Sequence, residues 1–402
     1  MHGRRGFGAS SSRRGENGGH RGSHSNTERS GAEFALATHA RFTAITRLRD
    51  LYERGTPLFH MDEMARLQEF LSPAGRRGRP FIEISDYFDT RHRVSADEHG
   101  LWFVALFSLQ AGIARIEESS ESSKYPLFYY AARQRGDPAR AGTNVALTGL
   151  TSLARRELGG TTSLDRVEEV FEWAIRRQLE NRFYTDSFLP SVKEIIRKRG
   201  RHIDNVICFE LGTIEADIQS DWTRHTGQLA CSAHHLFAVA IRDYIAQNFE
   251  TRVGLIFQHL EYTDATASYL GQIFQARVIR DNISGFQCIT QNSLVIWMAR
   301  DGPMPIPVKQ IIADFPYQIS PRPLPSIMIW PEERYAPTTM NAVMAVRERD
   351  HDTGRRICRA TDDTPRTNKL HEKYDKHHLP AAPENNPYCA PRKLEIYTRK
   401  RR

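Results

Sequence analysis

The 402 residues hold 56 Lys and Arg against 48 Asp and Glu, for a formal net charge of +8, with 40% hydrophobic residues and a mean hydropathy of −0.54. That is enough apolar material for a core, and enough length for two domains or for one domain with extensions. The longest apolar runs, Leu101–Leu109 and Leu294–Ala299, fall far short of the ~20 residues a membrane-spanning helix needs, which leaves no membrane role.

The positive charge sits at the ends. Residues 1–31 carry six Arg and two Glu, and residues 346–402 carry fifteen basic and nine acidic side chains, which leaves −2 for the stretch between. A groove-reading nucleic-acid domain brings its own basic face. Charge therefore leaves only weak contact through the basic tails as a nucleic-acid role. The five cysteines, Cys208, Cys231, Cys288, Cys358 and Cys389, are odd in number and show no C-x-x-C spacing. They read as reduced thiols of an intracellular protein, with neither a zinc site nor a disulfide frame. The N-terminal arginines are followed by no apolar stretch, so no secretory signal is expected, and the glycines disfavour a mitochondrial presequence.

In chain order, residues 1–31 are Arg/Gly/Ser-rich and hold almost nothing to bury, so disorder is predicted. The fragment Arg5-Gly6-Phe7-Gly8 is a single copy, not an RNA-binding repeat. Residues 32–160 are expected to form an accessory, mostly helical region. Phe42, Ile45, Leu48, Leu51 and Tyr52 recur at helical spacing up to Gly55 and Pro57, and a second helix covers Asp62–Leu71. Phe81–Tyr87 reads as a strand; Leu101–Leu109 reads equally as a buried strand or a helix.

From Thr161 the pattern sharpens. Leu164, Val167, Val170, Phe171, Ile175 and Leu179 mark one helical face, capped by Thr162 or Ser163. A short helix follows at Val192–Arg199. Strands at Ile203–Phe209, Val253–Phe257, Arg277–Arg280, Leu294–Met298 and Ser326–Trp330 then alternate with helices at Gln228–Ile245, Ala265–Phe274 and Val308–Phe315. Apolar strands alternating with helices predict right-handed βαβ units and a mostly parallel sheet covered on both faces. The expected fold is thus an α/β, Rossmann-like three-layer domain over 161–330. Residues 331–402 are expected to be a polar, basic, disordered tail with one short helix around Met340–Arg347. Its end, Arg399-Lys400-Arg401-Arg402, resembles a nuclear signal, so the expected location is cytoplasm, nucleus or both.

In such sheets ligands bind beyond the carboxyl ends of the strands, where strand order reverses. The candidate pocket residues are therefore Glu210, Gly212, Gln228, His259, Glu261, Asp264 and Asn292. A phosphate loop wants several glycines before a free helix N-terminus; here only Gly212 is present, and Glu210 would repel a pyrophosphate. Glu261 or Asp264 stands where an acidic side chain grips a ribose, although Thr263 or Asp264 serves equally as a helix cap. His259 is a candidate acid or base by position alone. His225, His234 and His235 lack metal-ligand spacing, so no metal is expected. Lys309 and Asp314 read as surface charge.

The order of fragments resembles the Sensitivity to Red Light Reduced family in its filamentous-fungal form. Val206-Ile207-Cys208-Phe209-Glu210-Leu211-Gly212 looks like the family's strand ending in Cys-Phe-Gly-Leu-Gly, and Gln228-Leu229-Ala230 like its helix opening. Gln258-His259-Leu260-Glu261-Tyr262 stands where the family has Gln-Asp-Pro-x-Tyr. Gly285-Phe286, Ile289, Ser293-Leu294-Val295 and Pro307-Val308-Lys309-Gln310-Ile311 match its later segments. Upstream, Tyr52-Glu53-Arg54-Gly55-Thr56-Pro57-Leu58-Phe59 is similar to fungal members. The departures, Glu210, His259-Leu260 and Thr290-Gln291-Asn292, fall at strand ends. The resemblance implies a regulatory role in signalling or stress responses and no agreed reaction. Two functions compete: a non-enzymatic interaction module with protein partners, and a nucleotide- or S-adenosylmethionine-binding enzyme such as a methyltransferase.

Overall fold

The computed structural model describes mainly residues 42–72, 163–199, 202–219, 230–298, 306–331, 364–380 and 394–400. Short stretches at 39–40, between 75 and 134, at 348–349 and at 356–357 are described as well. The elements run as α1 (42–53), α2 (Met61–Leu71), β1 (Ile82–Ser85), β2 (Arg91–Val94), β3 (Leu101–Leu106) and β4 (Tyr129–Gln134). Then come α3 (Leu164–Glu180), α4 (Leu189–Arg199), β5 (Asn205–Phe209), α5 (Ile214–Gln219), α6 (Ala230–Phe249), β6 (Gly254–Gln258), α7 (Asp264–Ile273) and β7 (Arg277–Ile279). The chain continues through α8 (Ser284–Gln287), β8 (Ser293–Trp297), α9 (Val308–Asp314), β9 (Ile327–Pro331) and the two-residue strands β10 (Glu348–Arg349) and β11 (Arg356–Ile357). It closes with α10 (Pro365–His371), β12 (Tyr374–His378) and β13 (Leu394–Arg399).

The fold is α/β, with a seven-stranded sheet in the order β12-β13-β9-β8-β5-β6-β7 and helices on both sides. From β9 to β7 all pairings are parallel; β13 joins β9, and β12 joins β13, antiparallel. Strand order reverses beside β5, since β6 and β7 follow on one side and β8 and β9 on the other. That crevice is the switch point at which this topology places ligands. The five strands read from the sequence are all present. Their residues alternate between two cores, as the two-residue strand period requires. Ile207, Phe209, Val295, Trp297, Met328 and Trp330 pack with α1, α2, α9 and α10. Val206, Cys208, Leu294, Ile296, Ile327 and Ile329 pack with α3, α4, α6 and α7.

Several expectations are corrected. In α3 Ser163 caps by accepting from Arg166 N–H, but Leu164, Ile175 and Leu179 are exposed, and Ala174 and Gln178 complete the buried face instead. In the described part of residues 32–160, two antiparallel ladders, β1–β2 and β3–β4, accompany the helices, so that part is not helical throughout. Nor is it separate, because α1 and α2 share a core with the sheet. The stretch after Trp330 is no mere tail: Ile396 and Tyr397 of β13 are buried, and Arg399 is held by Leu324 and Ser326 carbonyls. The helix expected at Met340–Arg347 lies outside the described residues.

Lys309 and Asp314 are the sharpest correction, at 2% and 1% exposure. Every residue of α9 is buried, because residues 42–72 fold over it from one side and α10 from another. The Lys309 ammonium lies over the rings of Trp297 and Trp330, at 5.7 and 5.2 Å. Asp314 accepts from Leu58 N–H (2.5 Å), Phe59 N–H (3.2 Å) and the Arg366 guanidinium (2.7 Å). Arg366 also donates to the Tyr52 and Thr56 carbonyls and lies 3.9 Å over the Tyr52 ring. Burial pushes the Asp314 pKa up to about 6, opposed by the Arg366 charge and by these donors. The Tyr52–Phe59 segment is thus a clasp. Its Gly55 turns at φ +101°, and a Cβ there would meet Tyr317 at 3.3 Å.

Candidate functional site

The chain leaves β5 through two residues in the left-handed region, Glu210 at φ +51° and Gly212 at φ +88°. For a residue with a side chain that conformation costs on the order of 1 kcal/mol. Glu210 therefore keeps the backbone shape of a glycine turn while adding a carboxylate to it. One carboxylate oxygen accepts from Trp297 Nε1–H at the end of β8 (3.2 Å), the other from Ile306 N–H (2.9 Å). Since β5 and β8 flank the reversal of strand order, this side chain spans the switch point itself. The residue keeps some solvent contact, but its carboxyl is enclosed. Burial pushes its pKa up to about 7, opposed by the two donors and assisted by the charge of Glu261.

β6 runs into the turn that carries His259 and Glu261. His259 Nδ1 accepts from Glu261 N–H (3.1 Å), so the imidazole braces the turn. Glu261 stands at the rim and is exposed; partial burial of its carboxyl, then the Glu215 charge, raise its pKa. Thr263, not Asp264, caps α7, by accepting from Thr266 N–H. Asp264 is exposed and pairs with Arg280.

Two candidates do not join this group. Asn292 lies at the amino end of β8, the opposite end of the sheet, where it donates to Asp204 (2.8 Å). Gln228, like His225, lies outside the described residues. Glu210, Gly212, His259 and Glu261 are brought to the carboxyl ends of β5 and β6.

Several residues that shape this end carry no signal in the sequence. Asp217 accepts from the N–H groups of Cys231 (3.3 Å) and Ser232 (2.7 Å) and from the Ser232 hydroxyl (2.7 Å). These first-turn amides of α6 are where a dinucleotide fold holds a pyrophosphate; here the chain's own carboxylate fills the place. His234 donates to the Leu211 carbonyl (3.2 Å) and pins the turn between Glu210 and Gly212. Buried His235 donates from Nδ1 to the Cys231 carbonyl (2.7 Å), so its Nε2 accepts from the Tyr262 hydroxyl (2.6 Å). Burial raises the Tyr262 pKa well above its usual value, which keeps that hydroxyl protonated. On the other face Gln258 accepts from Gly285 N–H (2.6 Å), and a Cβ on Gly285 would meet that Gln258 oxygen at 2.0 Å. Phe286 stacks on Phe209, with ring centroids 4.4 Å apart.

The described residues contain no group of three His, Cys, Asp or Glu side chains arranged to hold a metal ion. No family model, no curated protein and no solved structure matches this chain. The site's chemistry therefore rests on its geometry: an acidic strand end, a helix N-terminus already capped, and a switch point bridged by a side chain.

Proposed function

We propose that this chain is a Sensitivity to Red Light Reduced-like domain protein that acts inside the cell as a non-enzymatic regulatory module recognising protein partners. The carrying observation is the Glu210 carboxylate across the switch point, bonded to Trp297 on one side and Ile306 on the other. A nucleotide or S-adenosylmethionine at that crevice would have to break both bonds, and a phosphate would also meet Asp217 at the α6 N-terminus.

The fragments behind the resemblance support the reading, because their work here is structural. Gln258 and Gly285 lock β6 to α8, Phe286 stacks on Phe209, and Tyr262 closes on His235. The test is thermal unfolding of the full chain titrated with S-adenosylmethionine, NAD and ATP to millimolar concentration. The expected outcome is no saturable rise in Tm with any of them. A saturable rise that disappears in Glu261→Ala would overturn the proposal in favour of the enzyme reading.

A further inference from the structure

Folded proteins rarely bury a carboxylate without a partner, because desolvation is costly unless charge and hydrogen bonds are returned. The carboxyl ends of β5 and β6 depart from that rule. Glu215, on α5, is 3% exposed. Its Oε1 accepts from the hydroxyls of Thr263 and Thr266, the latter at 2.5 Å, while its Oε2 is buried with no hydrogen-bond partner. Thr263 lies two residues beyond Glu261, so Glu215 is held against the turn that carries Glu261. Glu210 N–H in turn donates to the Gln258 carbonyl at the end of β6 (3.3 Å), which sets the third acid beside the same turn.

Three acids from three segments thus face one end of the sheet. Among the described residues no Lys, Arg or His side chain pairs with any of them, whereas Glu194, Glu169 and Asp264 on the surface each have a basic partner. The fields overlap: Glu215 raises the Glu261 pKa, and Glu261 raises that of Glu210.

We propose that Glu215 and Glu261, with Glu210 at the edge, form a binding site for an organic cation carrying a guanidinium or alkylammonium head group. An organic cation fits better than a metal ion. Both oxygens of Glu210 and one of Glu215 already accept from donors, and no group of three metal-ligating side chains is present among the described residues. A guanidinium, with five N–H donors in a planar fork, serves carboxylates that stand apart from one another. The same head group arrives on a free small molecule or on an Arg or Lys side chain of a partner protein. The site stands whether or not the domain has a catalytic activity.

The experiment is calorimetric titration of the full chain at pH 8 and low salt. The probes are agmatine and a blocked pentapeptide, Gly-Gly-Arg-Gly-Gly, with MgCl2 and NaCl at matched ionic strength as controls. Saturable binding of at least one probe is expected, about tenfold or more weaker in Glu215→Gln and Glu261→Gln and unchanged in Glu194→Gln. Tighter binding of agmatine assigns the site to a small molecule; tighter binding of the peptide assigns it to a partner's side chain. Because Glu261 is exposed, its variant keeps the test sound even if Glu215→Gln fails to fold. Absence of saturable binding by both probes, equal binding of MgCl2, or binding unaltered in Glu261→Gln overturns the proposal.

Discussion

Of the places where this molecule buries carboxylates, two are built on opposite terms. At the seam between residues 52–59, α9 and α10, Asp314 receives a guanidinium and two amide N–H groups, and nothing is left over. At the carboxyl ends of β5 and β6, Glu215 has one oxygen satisfied and one bare, and among the described residues no cation pairs with Glu210 or Glu261. The contrast separates charge used to hold the fold from charge left available to something outside it. Asp217 lies between the two, an acid at the strand ends compensated by the amides of α6.

The contrast breaks most forcefully at Arg366. Its replacement by Met leaves Asp314 buried without its guanidinium, held only by the Leu58 and Phe59 amides. A loss of about 3–5 kcal/mol is expected in urea unfolding, and the double variant Asp314→Asn, Arg366→Met should recover much of it.

The strand end should respond in the opposite direction. The folded pKa of Glu210, about 7, lies above its ordinary value of 4.5. The folded state therefore holds the proton more tightly, and the stability this contributes is complete below the ordinary value and lost as pH rises through 7. Glu210→Gln removes that dependence. Relative to the parent chain, it should be more favourable at pH 8 than at pH 5 by about 2 kcal/mol in chemical unfolding. A difference independent of pH would mean that the carboxylate is not enclosed. The smallest effect belongs to Asp217→Asn, which replaces one of the two acceptor oxygens at the α6 amides with a donor. It should cost about 1 kcal/mol, read from the same unfolding curves.

The central parallel strands β5, β8 and β9 are legible because they are buried on both faces and so read as continuous apolar runs. Ser293–Trp297 is buried at all five positions. β12 was not legible, because as an edge strand it exposes alternate residues, and Tyr374-Asp375-Lys376-His377-His378 looks like solvated chain. Lys309 and Asp314 look like surface charge in the sequence for a related reason. A charged residue looks superficial until the segment that covers it is known, and the covers here come from residues 52–59 and 366. At the site, Glu210 and Glu261 were found by their positions after strands. Asp217 and Glu215 were not, since their partners lie 14 to 51 residues away and no spacing rule links them.

The last strand has a consequence for how the protein is made. β9 carries Trp330 and pairs on its outer side with β13, while Arg366 supplies the guanidinium for Asp314. A chain cut at residue 345 therefore holds every parallel strand without the piece that closes them. Until β13 pairs with it, β9 remains an open, apolar edge of the kind that chaperones shield. A truncation that removes β13 should therefore yield an aggregating product, not a shortened but functional one.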